Sequence, residues 1–292
     1  MPKVRNMIRS RSHTLPPLAK SGFGAQITTS TNVSPSAVRE AALGAGVVLA
    51  KGMEFNEESF RAFVSALGDK VSYEDDDAAV GYGFSDLLHL DGTRDSGKVI
   101  TGRGPLPLHT DGVLLGTQVD LIVLYAVEAD RLQGDGATLV CDQISAWHDM
   151  PAELRSVLAR GYLEYKAIEL GYFTSVPTDW YSIPTFRDYG RVKSLNIALP
   201  FAENVPASWD ARVPGASNAD SRSFFTALHH HLSHERYLYQ HRWEQGDLLV
   251  IDNQQTLHGR DGLTDTATRK LLRGQVTLTA ATEAPGATTK GF

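Results

Sequence analysis

Sulfur chemistry is nearly missing from this sequence, which has one cysteine, Cys141, in 292 residues. A disulfide framework is therefore excluded, and a single thiol suits a reducing compartment, so a cytoplasmic location is expected. No apolar run approaches the roughly 18 residues that a membrane span requires. Positive charge is not in excess either. Lys and Arg total 28 against 34 Asp and Glu, giving a net charge of −6 and a pI near 5.9, which leaves no basic footprint for nucleic acid. Met1 to Lys20 carries five basic residues and no acid, but lacks the apolar core of a secretory signal. It reads as a flexible basic tail, with a transit peptide as the alternative. Residues 21–280 are expected to form one domain, and 281–292, rich in Ala, Thr and Gly, a second flexible tail. What remains is a chain whose partner is a small-molecule substrate rather than nucleic acid or membrane. Homo-oligomer formation stays compatible with all of this.

Regular elements begin near Ser34. With Pro35 next, Ser34 suits the start of a short helix reaching Leu43 and stopped by Gly44. Gly46 to Ala50 then reads as a short strand. Asn56 suits the cap of a second helix, in which Phe60, Phe63, Val64 and Leu67 form one apolar stripe and Gly68 is the stop. Later the strand-like runs dominate: Leu121–Val127, Thr138–Cys141, Leu248–Ile251 and Leu271–Leu278. Helices are expected after Pro151 and over about Asp220 to His234. Short strands separated by long excursions predict a mostly β fold with flanking helices, a barrel or double-sheet jelly roll.

The chemistry centres on Leu108-His109-Thr110-Asp111-Gly112. On an extended segment, a His and an Asp two apart project to the same side. Their ring nitrogen and carboxylate oxygen can then share one metal ion. His258, within Asp252-Asn253-Gln254-Gln255-Thr256-Leu257-His258-Gly259-Arg260, is the best third ligand. Two His and one carboxylate on one face leave positions open for oxygen chemistry on Fe(II). A second Leu-His-x-Asp-Gly, at His89 and Asp91, is the local rival. Context favours His109 and Asp111, because a strong apolar strand and the stretch Gly134 to Val140 follow that copy. His229, His230 and His231 are consecutive, so on a helix they diverge and cannot converge on one ion. They read as a solvated patch, and His234 and His241 as structural. Cys141 has no evident base partner.

Arg269 and Arg273 are four apart, which on a strand means one face and a separation of roughly 13 Å. Two guanidinium groups on an inner face would be costly without anions, and each offers a planar fork for a carboxylate. The alternative is an exposed basic edge.

In order and spacing, His109-x-Asp111, Gly134-x-Gly136-x-Thr138, Trp243-x-x-Gly246-Asp247 through Asp252-Asn253, His258, and Arg269-x-x-x-Arg273 resemble the taurine dioxygenase/TfdA-like family of Fe(II)- and 2-oxoglutarate-dependent oxygenases. The resemblance covers roughly Pro105 to Leu278. It implies a double-stranded β-helix (jelly-roll, cupin-like) core, with Fe(II), 2-oxoglutarate and O2 as the reacting set. It implies His109, Asp111 and His258 as catalytic iron ligands, and Arg269 with the Thr138 hydroxyl as the holders of the distal carboxylate of 2-oxoglutarate. Arg273 takes the position that grips the acidic group of the substrate in several members. Tyr239-Gln240-His241-Arg242-Trp243, Pro107-Leu108-His109 and Leu257-His258-Gly259-Arg260 are similar to the branch that processes amino-acid-derived isonitriles in bacterial natural-product pathways. Asp111 is present, unlike in halogenating members. Gln254 stands where a basic residue is usual, and Pro105 where some relatives place a polar substrate contact; both departures weigh against taurine itself. Asn253 is a candidate for orienting the histidine ligands.

The implied activity is hydroxylation or desaturation of a small carboxylate-bearing, amino-acid-derived molecule. Its rivals are a non-catalytic jelly-roll binding protein and a zinc hydrolase using the same triad. Tyr162 to Tyr189 holds eight of the chain's 25 aromatic residues, broken by Pro177 and Pro184. Those rings either line a lid over an aromatic or extended apolar substrate or pack that lid onto the barrel. The acidic run Glu74 to Asp77 reads as a solvated loop, with a lid favouring a cationic amine as the alternative.

Overall fold

The computed structural model describes residues 15–28, 33–71, 86–91, 98–129, 136–170, 172–173, 176–264 and 268–278. The chain up to residue 14, Glu74 to Asp77, Gly134 and the 281–292 tail lie outside the described residues. Pro16 to Phe23, which begins within the expected tail, is already folded: Gln26 N–H donates to Pro16 O at 2.8 Å and Leu18 N–H to Phe23 O at 3.2 Å.

Two sheets form the core, with strands numbered in chain order. The larger has seven strands, ordered β1 (Ala25–Ile27), β2 (Val47–Ala50), β14 (Leu248–Asp252), β6 (Leu121–Ala129), β16 (Arg269–Thr277) and β3 (Asp69–Lys70), with β4 (Leu88–Asp91) also paired to β16. The smaller runs β13 (Leu238–His241), β7 (Thr138–Asp142), β15 (Thr256–Arg260) and β5 (Leu106–His109). Period-two alternation divides the apolar residues between two faces. Leu49, Leu249, Ile122, Leu124 and Leu271 point inward and pack with Val140 and Trp243. Val48, Val250, Val123, Leu272 and Val276 point outward beneath the helices α1 (Pro35–Ala45) and α2 (Glu57–Leu67). This is the expected jelly roll.

An 11-residue helix such as α2 is marginal alone, so packing must hold it. Phe60, Phe63, Val64 and Leu67 are all buried, and fully burying such side chains contributes about 1.5–3 kcal/mol each. Asn56 caps it as expected, accepting from Ser59 N–H at 2.8 Å in a reciprocal capping box. In α1, Gly44 does not stop the helix. It continues to Ala45, and Gly46, at φ +82°, ends it.

The outer side of the smaller sheet is covered by α3 (Gln143–His148), α4 (Ala152–Leu158), α5 (Asn218–Leu232) and a third sheet, β12 (Trp209–Arg212), β8 (Tyr162–Ala167) and β9 (Tyr181–Pro184). A short hairpin, β10 (Phe186–Asp188) with β11 (Lys193–Leu195), follows. Much of the aromatic stretch is therefore scaffold. Tyr165 is fully buried, with its hydroxyl accepting from Ala198 N–H at 3.0 Å, and Phe186 packs on Trp147.

Gly274 marks the closest approach of α2 to the larger sheet, since a Cβ there would lie 2.8 Å from both methyl groups of Val64. Gly274→Ala should overpack this contact and destabilise the fold by about 1–3 kcal/mol, measured as a lower denaturation midpoint. An unchanged midpoint would show that α2 sits loosely on the sheet.

Candidate active site

His109 closes β5, directly opposite His258 on β15, and the two imidazole centroids are 4.3 Å apart. Beyond His109 the chain leaves the ladder, yet the alternation holds for two more residues. Thr110 turns its hydroxyl away to Leu195 O, and Asp111 returns to the histidine side. Gly112 then makes the turn at φ +79°, where a Cβ would lie 2.0 Å from Thr117 O, so that only glycine fits.

His109 Nδ1 donates to Pro107 O at 2.8 Å, because a carbonyl can only accept. Its Nε2 then faces Asp111 Oδ1 at 3.4 Å, and His258 Nε2 lies 3.5 Å from the same oxygen. The donor atoms of all three residues fall within 4.8 Å of one another. Burial above all, reinforced by His109, pushes the His258 pKa down to about 4, so this imidazole is neutral at ordinary pH. Burial opposes the charge on Asp111, but Arg273, His258 and the two imidazole contacts outweigh it and hold the carboxyl well below the usual range. Two imidazoles and a buried carboxylate, converging in this way, are a donor set that fits a divalent metal.

The rest of Asp111 is held just as firmly. Arg273 pairs with Oδ2, and Gln275 Nε2 donates to that oxygen at 2.7 Å. The sequence-based role for Arg273, gripping an acidic substrate group, thus meets a guanidinium already engaged with Asp111. Asn253 acts on the carboxylate ligand rather than on a histidine. Its Oδ1 accepts from Asp111 N–H at 2.9 Å, and its Nδ2 donates to Asp111 O at 3.2 Å and to Val119 O at 2.7 Å.

Arg269 and Thr138 line the same cavity. Arg269 is buried, donates through Nη1 to Gly136 O, and has no partner for Nε. Burial first, then Arg103, push its pKa down to about 10. Trp243 Nε1 donates to Thr138 Oγ1 at 3.0 Å, which leaves the threonine proton to be donated elsewhere. A buried guanidinium with an unused donor, beside a hydroxyl oriented in this way, suits a carboxylate. Opposite lies an apolar wall that includes Val113, Leu114, Tyr172, Phe173 and Trp209, the last packed on His109 at 5.5 Å. Within the aromatic stretch, only Tyr172 and Phe173 reach this cavity.

The other candidates fall elsewhere. His89 is about half exposed and lies 3.4 Å from Glu57, outside the cluster. Among the described residues, no second group of His, Cys, Asp and Glu converges as a metal site. Cys141 is buried, and burial pushes its pKa well up, which excludes a thiolate nucleophile. His231 contacts Ala146 O, and His241 sits between Tyr239 and Asp247. Gln275 and Trp243 gained no role from the sequence, although Gln275 follows Arg273 by two on the inward face.

Known proteins resemble this arrangement. The chain is 27% identical over 206 residues to the α-ketoglutarate-dependent 2,4-dichlorophenoxyacetate dioxygenase of Cupriavidus pinatubonensis, covering 65% of this chain and 67% of that one. It is 26% identical over 174 residues to the tyrosine isonitrile desaturase of Erwinia amylovora, covering 58% of each. A solved structure of PvcB, an Fe, α-ketoglutarate-dependent oxygenase from an isonitrile synthetic pathway, superposes with a TM-score of 0.63 at 20% identity, covering 87% of this chain and 86% of that one. The profile of the taurine catabolism dioxygenase TauD, TfdA family matches residues 11–275. With nearly the whole described chain inside that match, the protein belongs to the TauD, TfdA family.

Proposed function

We propose that this protein is an Fe(II)- and 2-oxoglutarate-dependent oxygenase that hydroxylates or desaturates a small carboxylate-bearing, amino-acid-derived substrate. The observation that carries this reading is the convergence of His109 Nε2, His258 Nε2 and Asp111 Oδ1 on the cavity that also holds Arg269 and Thr138. The tyrosine isonitrile desaturase and PvcB relatives support the amino-acid-derived class. A zinc hydrolase would leave the buried Arg269 and the oriented Thr138 hydroxyl without a task, and a non-catalytic binding protein would not need all three metal-ligand candidates intact.

When bound, iron with 2-oxoglutarate and O2 supplies oxidative decarboxylation to succinate and CO2, coupled to attack on a substrate C–H bond. His109, His258 and Asp111 would hold the metal. Pro107 O keeps His109 in the ligating tautomer. Arg273 and Gln275 occupy Asp111 Oδ2, leaving Oδ1 as the ligating oxygen. Arg269 and Thr138 take the distal carboxylate of 2-oxoglutarate, with Trp243 aiming the threonine. The apolar wall excludes water and presents the substrate. A substrate carboxylate that reaches Arg273 shares this guanidinium with Asp111.

Anaerobic titration with Fe(II) and 2-oxoglutarate, read by the visible charge-transfer band of the chelate, tests the assignment. The band should appear in the wild type and in His89→Ala, and be lost in His109→Ala; a band lost in His89→Ala instead would overturn the choice of ligands. Arg269→Ala should weaken 2-oxoglutarate binding by at least about tenfold, as removal of a charge-assisted bond implies, and far more than Arg273→Ala does. Equal losses in the two variants would refute the division of labour between them. Trp243→Phe removes one neutral hydrogen bond to Thr138 and should weaken 2-oxoglutarate about twofold to tenfold without loss of metal. An unchanged affinity would mean that Thr138 needs no orienting partner.

A further inference from the structure

The apolar wall is built from segments far apart in sequence. Ile100 and Leu106 come from the chain leading into β5, Tyr172 and Phe173 from the chain after β8. We propose that Glu169 is a positioning residue that latches these segments together and so sets where the substrate lies relative to the metal ligands. This role presupposes the oxygenase reading for its substrate; the contacts do not.

Glu169 Oε1 accepts from Val99 N–H at 3.1 Å, and Oε2 accepts from Ile100 N–H at 3.3 Å and from the Ser208 hydroxyl at 2.6 Å. Arg260 takes the carbonyls of the same two residues: Nη2 donates to Val99 O and Nη1 to Ile100 O, both at 2.9 Å, while Nε holds Gly104 O at 2.9 Å. The peptide joining residues 99 and 100 therefore has a carboxylate at its N–H and a guanidinium at its carbonyl. Its dipole is aligned between opposite charges, an arrangement in which each hydrogen bond strengthens the other.

The main chain of Glu169 carries the second half of the latch. Its carbonyl accepts from the N–H groups of Tyr172 at 2.9 Å and Phe173 at 3.2 Å, and its own N–H donates to Ser208 O at 3.0 Å. One residue thus fixes the turn that presents Tyr172 and Phe173 and, through its side chain, the irregular segment that presents Ile100. Arg260 stands two residues from His258 on β15, so the assembled wall is tied to a ligand-bearing strand. Without the Glu169 carboxylate, Arg260 still holds the 99–104 carbonyls, but the 168–173 turn loses its tie to them. The Glu169 carboxylate takes its hydrogen bonds from Val99, Ile100 and Ser208, whereas Thr138 pairs with Arg260 across β7 and β15 and Arg269 sits near that guanidinium.

The test uses the full chain as Glu169→Ala and Glu169→Gln. Glu169→Gln replaces one accepting oxygen by an NH2 donor, which cannot accept from the group facing it, and serves as the milder variant. Hydrogen exchange should quicken together in peptides covering 99–104 and 168–173, by about tenfold or more in Glu169→Ala and less in Glu169→Gln. The 2-oxoglutarate midpoint of the anaerobic Fe(II) chelate band should stay within twofold of wild type. Succinate formation under O2 without added substrate should rise several-fold, because the loosened wall admits water. Faster exchange confined to 99–104, unchanged substrate-free succinate formation, or a parallel loss of 2-oxoglutarate binding would each overturn the latch. A wild-type protein without the chelate band would instead overturn the oxygenase reading, and the exchange pattern would still decide whether Glu169 joins the two segments.

Discussion

A carboxylate taken out of water costs several kcal/mol unless its lone pairs find cations or donors, and Asp111 is such a group. Its surroundings come from every side of the barrel. Arg273 and Gln275 reach its Oδ2 from β16 of the larger sheet, the His109 and His258 rings face Oδ1 from β5 and β15 of the smaller one, and Asn253, in the turn that joins β14 to β15, holds the main chain of the same residue. None of these elements could shift without leaving a buried charge less well matched. The same anion that gathers the metal ligands therefore also stitches the two sheets at the open end of the cavity. Arg273 has a double consequence: it stabilises the ionised carboxyl and leaves Oδ1 to the imidazoles.

What could be read from the sequence is what period and local chemistry control. Arginines four apart on a strand share a face, and Arg269, Leu271, Arg273 and Gln275 do line one cavity. Asn56 caps its helix because the groups it serves are three residues away. What stayed hidden depends on register between distant segments. Arg273 meets Asp111 across 162 positions, and Trp243 meets Thr138 across 105; no local pattern encodes either meeting. Gln254, standing where a basic residue is usual, accepts from Arg191 at 2.7 Å, and that same guanidinium holds the buried Asp252 at 2.8 Å. The basic group is supplied from another part of the chain. Prolines and turn formers in 162–189 suggest loops, yet tertiary pairing overrides them and makes β8 and β9 a sheet over α4 and α5.

Three arginines line the cavity, and their partners separate their tasks. Each of the three nitrogens of Arg260 donates to a backbone carbonyl; burial, with Arg269 and Arg273 nearby, pushes its pKa down to about 9. Arg273 is committed to Asp111. Arg269 is as deeply buried as Arg260, but its Nε finds no partner among the described residues. Deep burial of a guanidinium is tolerable when every donor is used and costly when one is not. Arg260 thus acts as a clamp on the loop entering β5, whereas the open Nε of Arg269 is a feature that fits an incoming carboxylate. Because both face one cavity, its Arg269 side fits an anionic group and its apolar wall an apolar one.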